Sequence, residues 1–335
     1  MPSVKQALER HDNVSAILQA IRNAGQTTRR ELSKNLSLSW GCVSELVTML
    51  IAEKVIIEEE KAICTAKGRC PAMLSLSRKV AVLGIDVNRT GMTACVCNLY
   101  EQKLWENTDP LDTSDKESVL LQLFCMIERL RSQFPGIAVV SIAMQGVRDR
   151  AAGYWRFPSD KPARIDFEKD IACHLDIPTI IEHDPNCMLF GHIDTAEQTS
   201  KMLVRIDQEI GAALYKYNRF FDDSLLELGY LVVGETGQTL RRLLNTPGDP
   251  DELGRHLGVT LANFSNMIAL DEIILCGDFV RQNAALLPVV KQHYDRHVID
   301  IAKATITTAN TLNAAFGAAK LAVEQFPYVR KSKEE

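Results

Sequence analysis

Residues 28–44, TRRELSKNLSLSWGCVS, decide the reading of the N-terminal region. Thr28-Arg29-Arg30-Glu31 has the form of a capping box, in which a hydroxyl and a glutamate three residues later each bond the other's backbone N–H. It opens a short helix with Leu32 and Leu36 facing inward. A few residues later Ser39 is a good N-cap, and Val43, Leu46, Val47, Leu50 and Ile51 form one apolar stripe behind it. Two short helices this close together have the spacing of a helix-turn-helix. Upstream, Val14, Ile17, Leu18 and Ile21 recur at helical intervals and predict a helix over 13–23, stopped by Gly25. Downstream, residues 55–60 read as a strand, and residues 72–77 alternate apolar and small polar side chains as its partner. The tip between them contains Lys67-Gly68-Arg69. The predicted unit is a winged helix-turn-helix over residues 1–78.

Charge supports a nucleic-acid partner for this segment. The chain of 335 residues carries a net charge of −5, but its first 80 residues hold 12 Lys and Arg against 8 Asp and Glu. The positive charge is therefore concentrated where a DNA contact needs it. In that reading the first turn of the third helix enters the major groove of a double-stranded operator and presents Ser39, Trp40, Gly41 and Ser44. Arg29, Arg30, Lys67 and Arg69 then reach phosphates or the minor groove. Trp40 has two readings, contact with a thymine methyl or packing within the domain. A three-helix module that binds protein has the same helical spacing; the basic hairpin tip favours DNA.

Composition is that of a globular protein, 46% hydrophobic and 24% charged, and the length calls for more than one domain. No apolar run is long enough to span a bilayer, and the first residues lack a signal-peptide stretch, so a cytoplasmic location without membrane contact is expected. Nine cysteines, an odd number, argue against a disulfide framework. Cys95 and Cys97 fall on one face of a strand, and they read as buried reduced thiols. No metal site can be assembled, and no cofactor is expected.

From Val80 the pattern changes to alternating strands and helices. Residues 80–86 form an apolar strand ending on Asp86, residues 92–99 return as a hairpin, a helix is expected over 116–134, and residues 137–143 are another buried strand. Further strands are expected at 179–182, 202–206, 212–215 and 272–276. This is α/β layering.

The whole chain resembles the ROK family (repressor, open reading frame, kinase), in its transcriptional-regulator branch. Residues 28–32 and 39–44 match the family's second-helix and recognition-helix patterns, and Gly68-Arg69-Cys70-Pro71 its wing. The resemblance implies an N-terminal winged helix-turn-helix plus an actin-like, ribonuclease H-like, sugar-kinase-like domain of two lobes. That domain is expected over 79–335, with lobe one at 79–195 plus the C-terminal helix and lobe two at 196–304. Residues 84–90, GIDVNRT, match a phosphate loop that normally reads Gly-x-Asp-x-Gly-Gly-Thr; Asp86 and Thr90 remain and both central glycines are gone. Gln145-Gly146 stands where Pro-Gly is usual. His183-Asp184-Pro185-Asn186 matches Asn-Asp-x-Asn, which puts Asp184 at the position of the kinase members' base. Asp207-Gln208-Glu209-Ile210-Gly211 replaces Gly-Thr-Gly-Ile-Gly, where two carboxylates oppose a triphosphate and imply a dead kinase. Glu227-Leu228-Gly229-Tyr230 keeps the sugar-binding glutamate and replaces the histidine by Tyr230.

The resemblance thus implies an effector site of Gly146, His183, Asp184, Asn186, Glu227 and Tyr230, with His192 nearby, for a sugar or sugar phosphate. Arg148 and Arg156 would favour the phosphate if they face the cleft. Asp184 has three readings: base, sugar-hydroxyl acceptor or helix cap. The implied protein is a homodimer or tetramer that represses carbohydrate genes. The alternatives are an ATP-dependent sugar kinase with an appended DNA-binding domain, and a regulator controlled by a partner protein alone.

Overall fold

The computed structural model describes residues 4–59, 71–149, 154–158, 163–194, 199–217, 219–220, 226–235, 237–246, 250–309 and 312–331. Its N-terminal region runs α1 (Val4–Ala24), α2 (Arg29–Asn35), α3 (Trp40–Ala52), β1 (Ile56–Glu59) and β2 (Met73–Leu76). Helix α1 starts well before the expected residue 13, because Lys5-Gln6-Ala7-Leu8-Glu9-Arg10 are all strong helix formers. The capping box is present in full: Glu31 donates its N–H to Thr28 Oγ1 at 3.2 Å, and Thr28 donates its own to Glu31 Oε2 at 2.9 Å. Ser39 caps α3 by accepting the Cys42 N–H at 3.2 Å. Ile17, Ile21, Leu32, Val43, Leu46, Val47, Leu50, Leu74 and Leu76 close the core of this region. Leu36 and Ile51, expected inside, are half-buried. Strands β1 and β2 pair antiparallel from Ile56–Leu76 to Glu59–Met73. The tip with Lys67 and Arg69 lies outside the described residues.

Two five-stranded sheets follow. The first is built from β3 (Ala81–Asn88), β4 (Gly91–Asn98), β5 (Lys103–Asp109), β6 (Ile137–Met144) and β10 (Thr179–His183) in the order β10-β6-β3-β4-β5. Helix α4 (Lys116–Gln133) packs Leu123, Ile127 and Leu130 against Leu83, Ile85, Val140 and Ile142. The short strands β7 (Val147–Asp149), β8 (Tyr154–Phe157) and β9 (Ala163–Asp166) precede β10, with β8 antiparallel to β9. Helix α5 (Asp184–His192) leads to the second sheet. This comprises β11 (Lys201–Ile206), β12 (Ile210–Lys216), β13 (Arg219–Phe220), β16 (Glu272–Cys276) and β17 (Thr305–Ala309), in the order β13-β12-β11-β16-β17. Between β13 and β16 lie the hairpin β14 (Val232–Val233) and β15 (Gln238–Thr239), then α6 (Leu240–Asn245) and α7 (Pro250–Ile268). After β16 come α8 (Asp278–Gln282) and α9 (Leu286–His297); α10 (Ala314–Lys331) follows β17. Leu257 and Leu261 of α7 and Val290 and Tyr294 of α9 share a buried core with Met202, Val204 and Ile206 of β11.

The two sheets share one plan. In each, the first strand is central, pairs antiparallel with the next strand and pairs parallel with a later one: β3 with β4 and β6, β11 with β12 and β16. The central strand β3 is buried over its first five residues, as a strand covered on both faces must be. Cys95 and Cys97 are buried free thiols on one face of β4, with sulfurs 3.7 Å apart.

The chain divides into two compact units, residues 1–145, 149–181 and 318–335 in one, and residues 146–148 and 182–317 in the other. This grouping departs from the expected boundaries. The winged helix groups with the first sheet, and α5 groups with the second, as do β17 and the first residues of α10. The first difference has a specific cause in the β4–β5 turn. Tyr100 Oη accepts the Leu76 N–H of β2 at 2.8 Å and donates to the Gly25 carbonyl at 3.0 Å. Arg22 of α1 donates to the Leu99 carbonyl at 2.9 Å and meets Glu101 at 2.8 Å. The second arises from packing of α5 on β12 and β13 through the rings of Phe190, Tyr215 and Phe220.

Tyr100→Phe removes both hydroxyl bonds and leaves the Leu76 N–H without its acceptor. Urea unfolding of this variant is expected to show a loss of about 1–3 kcal/mol; a loss under a few tenths would mean the turn does not hold the winged helix.

Candidate functional site

The exposed face of the helix-turn-helix carries most of the residues expected at DNA. Trp40 begins α3 with 57% of its surface exposed, so its ring is not packed within the domain. A β-carbon on Gly41 would meet nothing within 4 Å, so the surface beside Trp40 is open to close approach. Arg30 is exposed. Ser39 and Ser44 serve the fold as well: Ser39 caps the helix, and Ser44 is half-buried. Arg29 departs from the expected phosphate role. Its guanidinium makes a two-pronged bond to Glu58 of β1 at 3.1 and 3.2 Å and donates to the Ser44 carbonyl and Thr48 Oγ1, each at 3.1 Å. Arg29 therefore ties α3 to the wing strand. A neighbouring carboxylate on a three-dimensional neighbour is what overrides the surface expectation, and sequence distance concealed it.

The second unit brings Gly146, His183, Asp184, Asn186, Glu227 and Tyr230 into one compact region. Strand β10 delivers His183 and turns into α5 at Asp184, where Pro185 suits the first helical turn. Asp184 is only 2% exposed. Its carboxylate is bound by the Arg205 guanidinium, whose other nitrogen holds Asp207. Burial pushes the Asp184 carboxyl up to about 6 against the opposing pull of Arg205. His183 Nε2 lies 3.5 Å from Asp184 Oδ1. Burial holds the imidazole down at about 4, with the Gly146 carbonyl and Glu182 pulling the other way, so His183 is neutral beside its neighbour at pH 7. Asn186 donates to Glu182 at 3.0 Å.

On the other side of the cluster, Arg241 pairs with Glu209, donates to Tyr230 Oη at 2.8 Å and lies 5.5 Å above the Tyr230 ring. Glu227 is pushed above the ordinary carboxyl range, first by burial and then by the charges of Asp184 and Glu209. Tyr230 remains 53% exposed and so presents its ring outward.

The loops matched to phosphate binding are occupied by the protein's own side chains. Asn88 Oδ1 accepts the Thr90 N–H at 2.9 Å, and Gln145 Oε1 accepts the Arg89 N–H at 2.9 Å. Asn88 also donates to Asp86 at 2.9 Å. In the other loop Asp207 Oδ1 accepts the Asp278 N–H that opens α8, at 2.6 Å. Gly277 with φ +108° makes this approach: a β-carbon there would fall 2.3 Å from the Ile206 carbonyl oxygen. Asp207 thus accepts an amide at a helix start, the kind of donor that elsewhere serves anions.

Arg205 and Arg241 were not singled out from sequence. Arg205 had a signal, an arginine inside the apolar strand Met202-Leu203-Val204-Arg205-Ile206, since such a charge needs a partner. His192 does not join the cluster: it is exposed at the last turn of α5, about 12 Å along the helix from Asp184. Arg156 lies on the surface, 3.4 Å from Tyr154 Oη and 3.7 Å from Asp149. The Arg148 side chain lies outside the described residues. Among the described residues no three His, Cys, Asp or Glu side chains converge on a metal position, and no helix is long and apolar enough to cross a membrane.

The fold defines a class: a winged helix-turn-helix joined to a pair of sheets built on the plan of sugar kinases. Residues 82–222 match the ROK family, so the chain carries a ROK family domain. It is 18% identical to the DNA-binding transcriptional dual regulator NagC of Escherichia coli (strain K12), over 83% of each chain. A crystal structure of a ROK family transcriptional regulator, described as a homologue of the E. coli MLC protein, aligns with a TM-score of 0.80 at 16% identity over 97% of this chain and 98% of that one. The ROK hexokinase of Thermus thermophilus aligns at 0.60 and 18% identity, over 75% of this chain and 100% of its own.

The two shifted groups set opposite pH slopes. Stability from neutral His183 is complete above about 6.5 and is lost as pH falls toward 4. Stability from the raised Asp184 is complete below about 4 and is lost as pH rises through 6. In wild type the two offset each other across this window. Asp184→Asn removes one slope, so its stability relative to wild type is expected to fall by an amount on the order of 2 kcal/mol between pH 6.5 and 4. Urea titrations at four pH values check this; parallel curves would refute the assignment.

Proposed function

We propose that this chain is a DNA-binding transcriptional regulator whose kinase-like domain senses a sugar or sugar phosphate and does not phosphorylate it. The observation that carries the reading is Arg205 on Asp184. A general base must reach the substrate hydroxyl, and this carboxylate is only 2% exposed with its Oδ2 bound by a guanidinium. The consumed amides of Arg89, Thr90 and Asp278 point the same way, because a phosphate loop works by offering such donors. The relatives supply the other half. NagC is a transcriptional regulator that binds DNA, and the solved structure that aligns over nearly the whole chain is also a transcriptional regulator.

In this reading Trp40, Gly41 and Ser44 face base edges, Ser39 orders the first turn of α3, and Arg30 with Lys67 and Arg69 of the wing contacts the DNA backbone. Glu227, Asn186, His183, Gly146 and Tyr230 offer the acceptors, donors and ring face that a sugar requires. Asp184 supports this site through Arg205. The protein acts in the cytoplasm as a homodimer or tetramer, because a two-fold operator is matched by a two-fold protein. Effector binding acts by preferring one of two arrangements of the protein.

The kinase alternative rests on the hexokinase likeness and on Asp184 standing at the start of α5. A coupled ADP-release assay over a panel of sugars is expected to give no turnover above background; turnover abolished by Asp184→Asn would overturn the proposed function. DNA binding is tested by anisotropy against the chain's own promoter region, with a random-sequence control at two salt concentrations. Trp40→Ala is expected to weaken specific binding about tenfold or more, while leaving stability within about 0.5 kcal/mol because the ring is exposed. Equal binding of both proteins to both DNAs would count against α3 as the reading helix.

A further inference from the structure

Helix α10 is a single helix from Ala314 to Lys331 whose first residues belong to one compact unit and whose remainder belongs to the other. Its two ends are held in different ways. At the start, Gly317 lies against α5 in backbone contact. A β-carbon on Gly317 would fall 1.7 Å from the Cys187 carbonyl oxygen, and one on Gly191 would fall 3.2 Å from the Gly317 Cα. Asn313 fixes this end by accepting the Phe316 N–H at 3.0 Å. Helices that touch through glycine have no intervening side chain to absorb a displacement, so a shift of α5 must move the start of α10. Helix α5 is the element that begins with Asp184.

Further along, Ala318, Ala319, Leu321, Ala322, Val323 and Phe326 are buried, which leaves little room for the helix to bend away. There α10 reaches the socket of the winged helix. Glu324 meets the Arg22 guanidinium at 3.5 Å, and Lys320 meets Glu101 at 3.9 Å. Arg22 and Glu101 are themselves paired at 2.8 Å. Only 10% of the Arg22 and Lys320 side chains is exposed, so a movement of α10 re-partners these charges with one another before it releases them to water. Arg22 is on α1, and the same turn holds β2 through Tyr100.

We propose that α10 is the rod that transmits a change at the α5 site to the winged helix, with the Gly191–Gly317 crossing as its input and the Arg22–Glu101–Lys320–Glu324 cluster as its output. This rests on the proposed function, since it gives that effector site its route to DNA. A discrete element biased from both ends is the physical requirement for such coupling.

Hydrogen exchange of the full chain tests the rod without DNA or effector. Gly317→Ala forces α5 and α10 apart. It is expected to speed exchange in α5, and also by about tenfold in residues 98–102 of the β4–β5 turn and residues 22–27, the end of α1 and the residues that follow it. Glu324→Gln is expected to speed exchange at the turn and α1 while leaving α5 unchanged. In the double variant the Gly317→Ala effect on residues 22–27 should shrink to the Glu324→Gln level. Should Gly317→Ala fail to fold, Asp184→Asn supplies a milder displacement of α5 with the same pattern expected at smaller amplitude. Changes confined to α5 and the first turn of α10 would overturn the rod. The regulator reading is judged separately by the anisotropy titration: DNA binding without propagation refutes the rod alone, and propagation in a protein that binds no DNA refutes the regulator alone.

Discussion

A carboxylate taken out of water needs a counter-charge or a proton, and Asp184 has been taken almost entirely out of water. Arg205 meets that demand from near the end of β11, and in doing so it reaches Asp207 as well. Asp207 in turn accepts the first amide of α8. One guanidinium thus joins the start of α5, the end of β11 and the start of α8. A buried pair of this kind contributes little net stability, since desolvation offsets the attraction; its effect is to specify which elements meet and at what angle. The arrangement of the second unit around its candidate site follows from that constraint.

The same principle runs through the loops. A phosphate loop works by leaving backbone N–H groups unsatisfied until the ligand arrives. Here Asn88 and Gln145 accept backbone amides in one loop, and Asp207 accepts one in the other. Glu227, Asn186 and Tyr230 carry groups whose chemistry suits hydroxyls. Fold alone carries no function.

The winged helix was readable residue by residue because its signals are local. Capping at Thr28 and Ser39 depends on bonds across three residues, and the apolar stripes depend on a period of 3.6. The hairpin of β3 and β4 and the buried strands β6, β11 and β16 were likewise visible as short apolar runs. The pairing of Arg29 was concealed for the complementary reason. Its partner Glu58 is 29 residues away, and the pairing exists only once β1 lies beside α3. Arg205 and Arg241 were overlooked because a charge in a strand or helix announces a need for a partner without naming it.

By itself the sequence determined the elements of the winged helix, the alternation of strands and helices after residue 80, and the concentration of positive charge in the first eighty residues. These are properties of composition and short-range spacing, and no tertiary contact can alter them. Only the tertiary structure decided that the winged helix is bound to the first sheet through Arg22, Tyr100 and Glu101, that α5 belongs with the second sheet, and that Asp184 is held by an arginine. Each depends on groups far apart in the chain, where the cost of burying a charge or an amide selects the partner, and that selection is made in space.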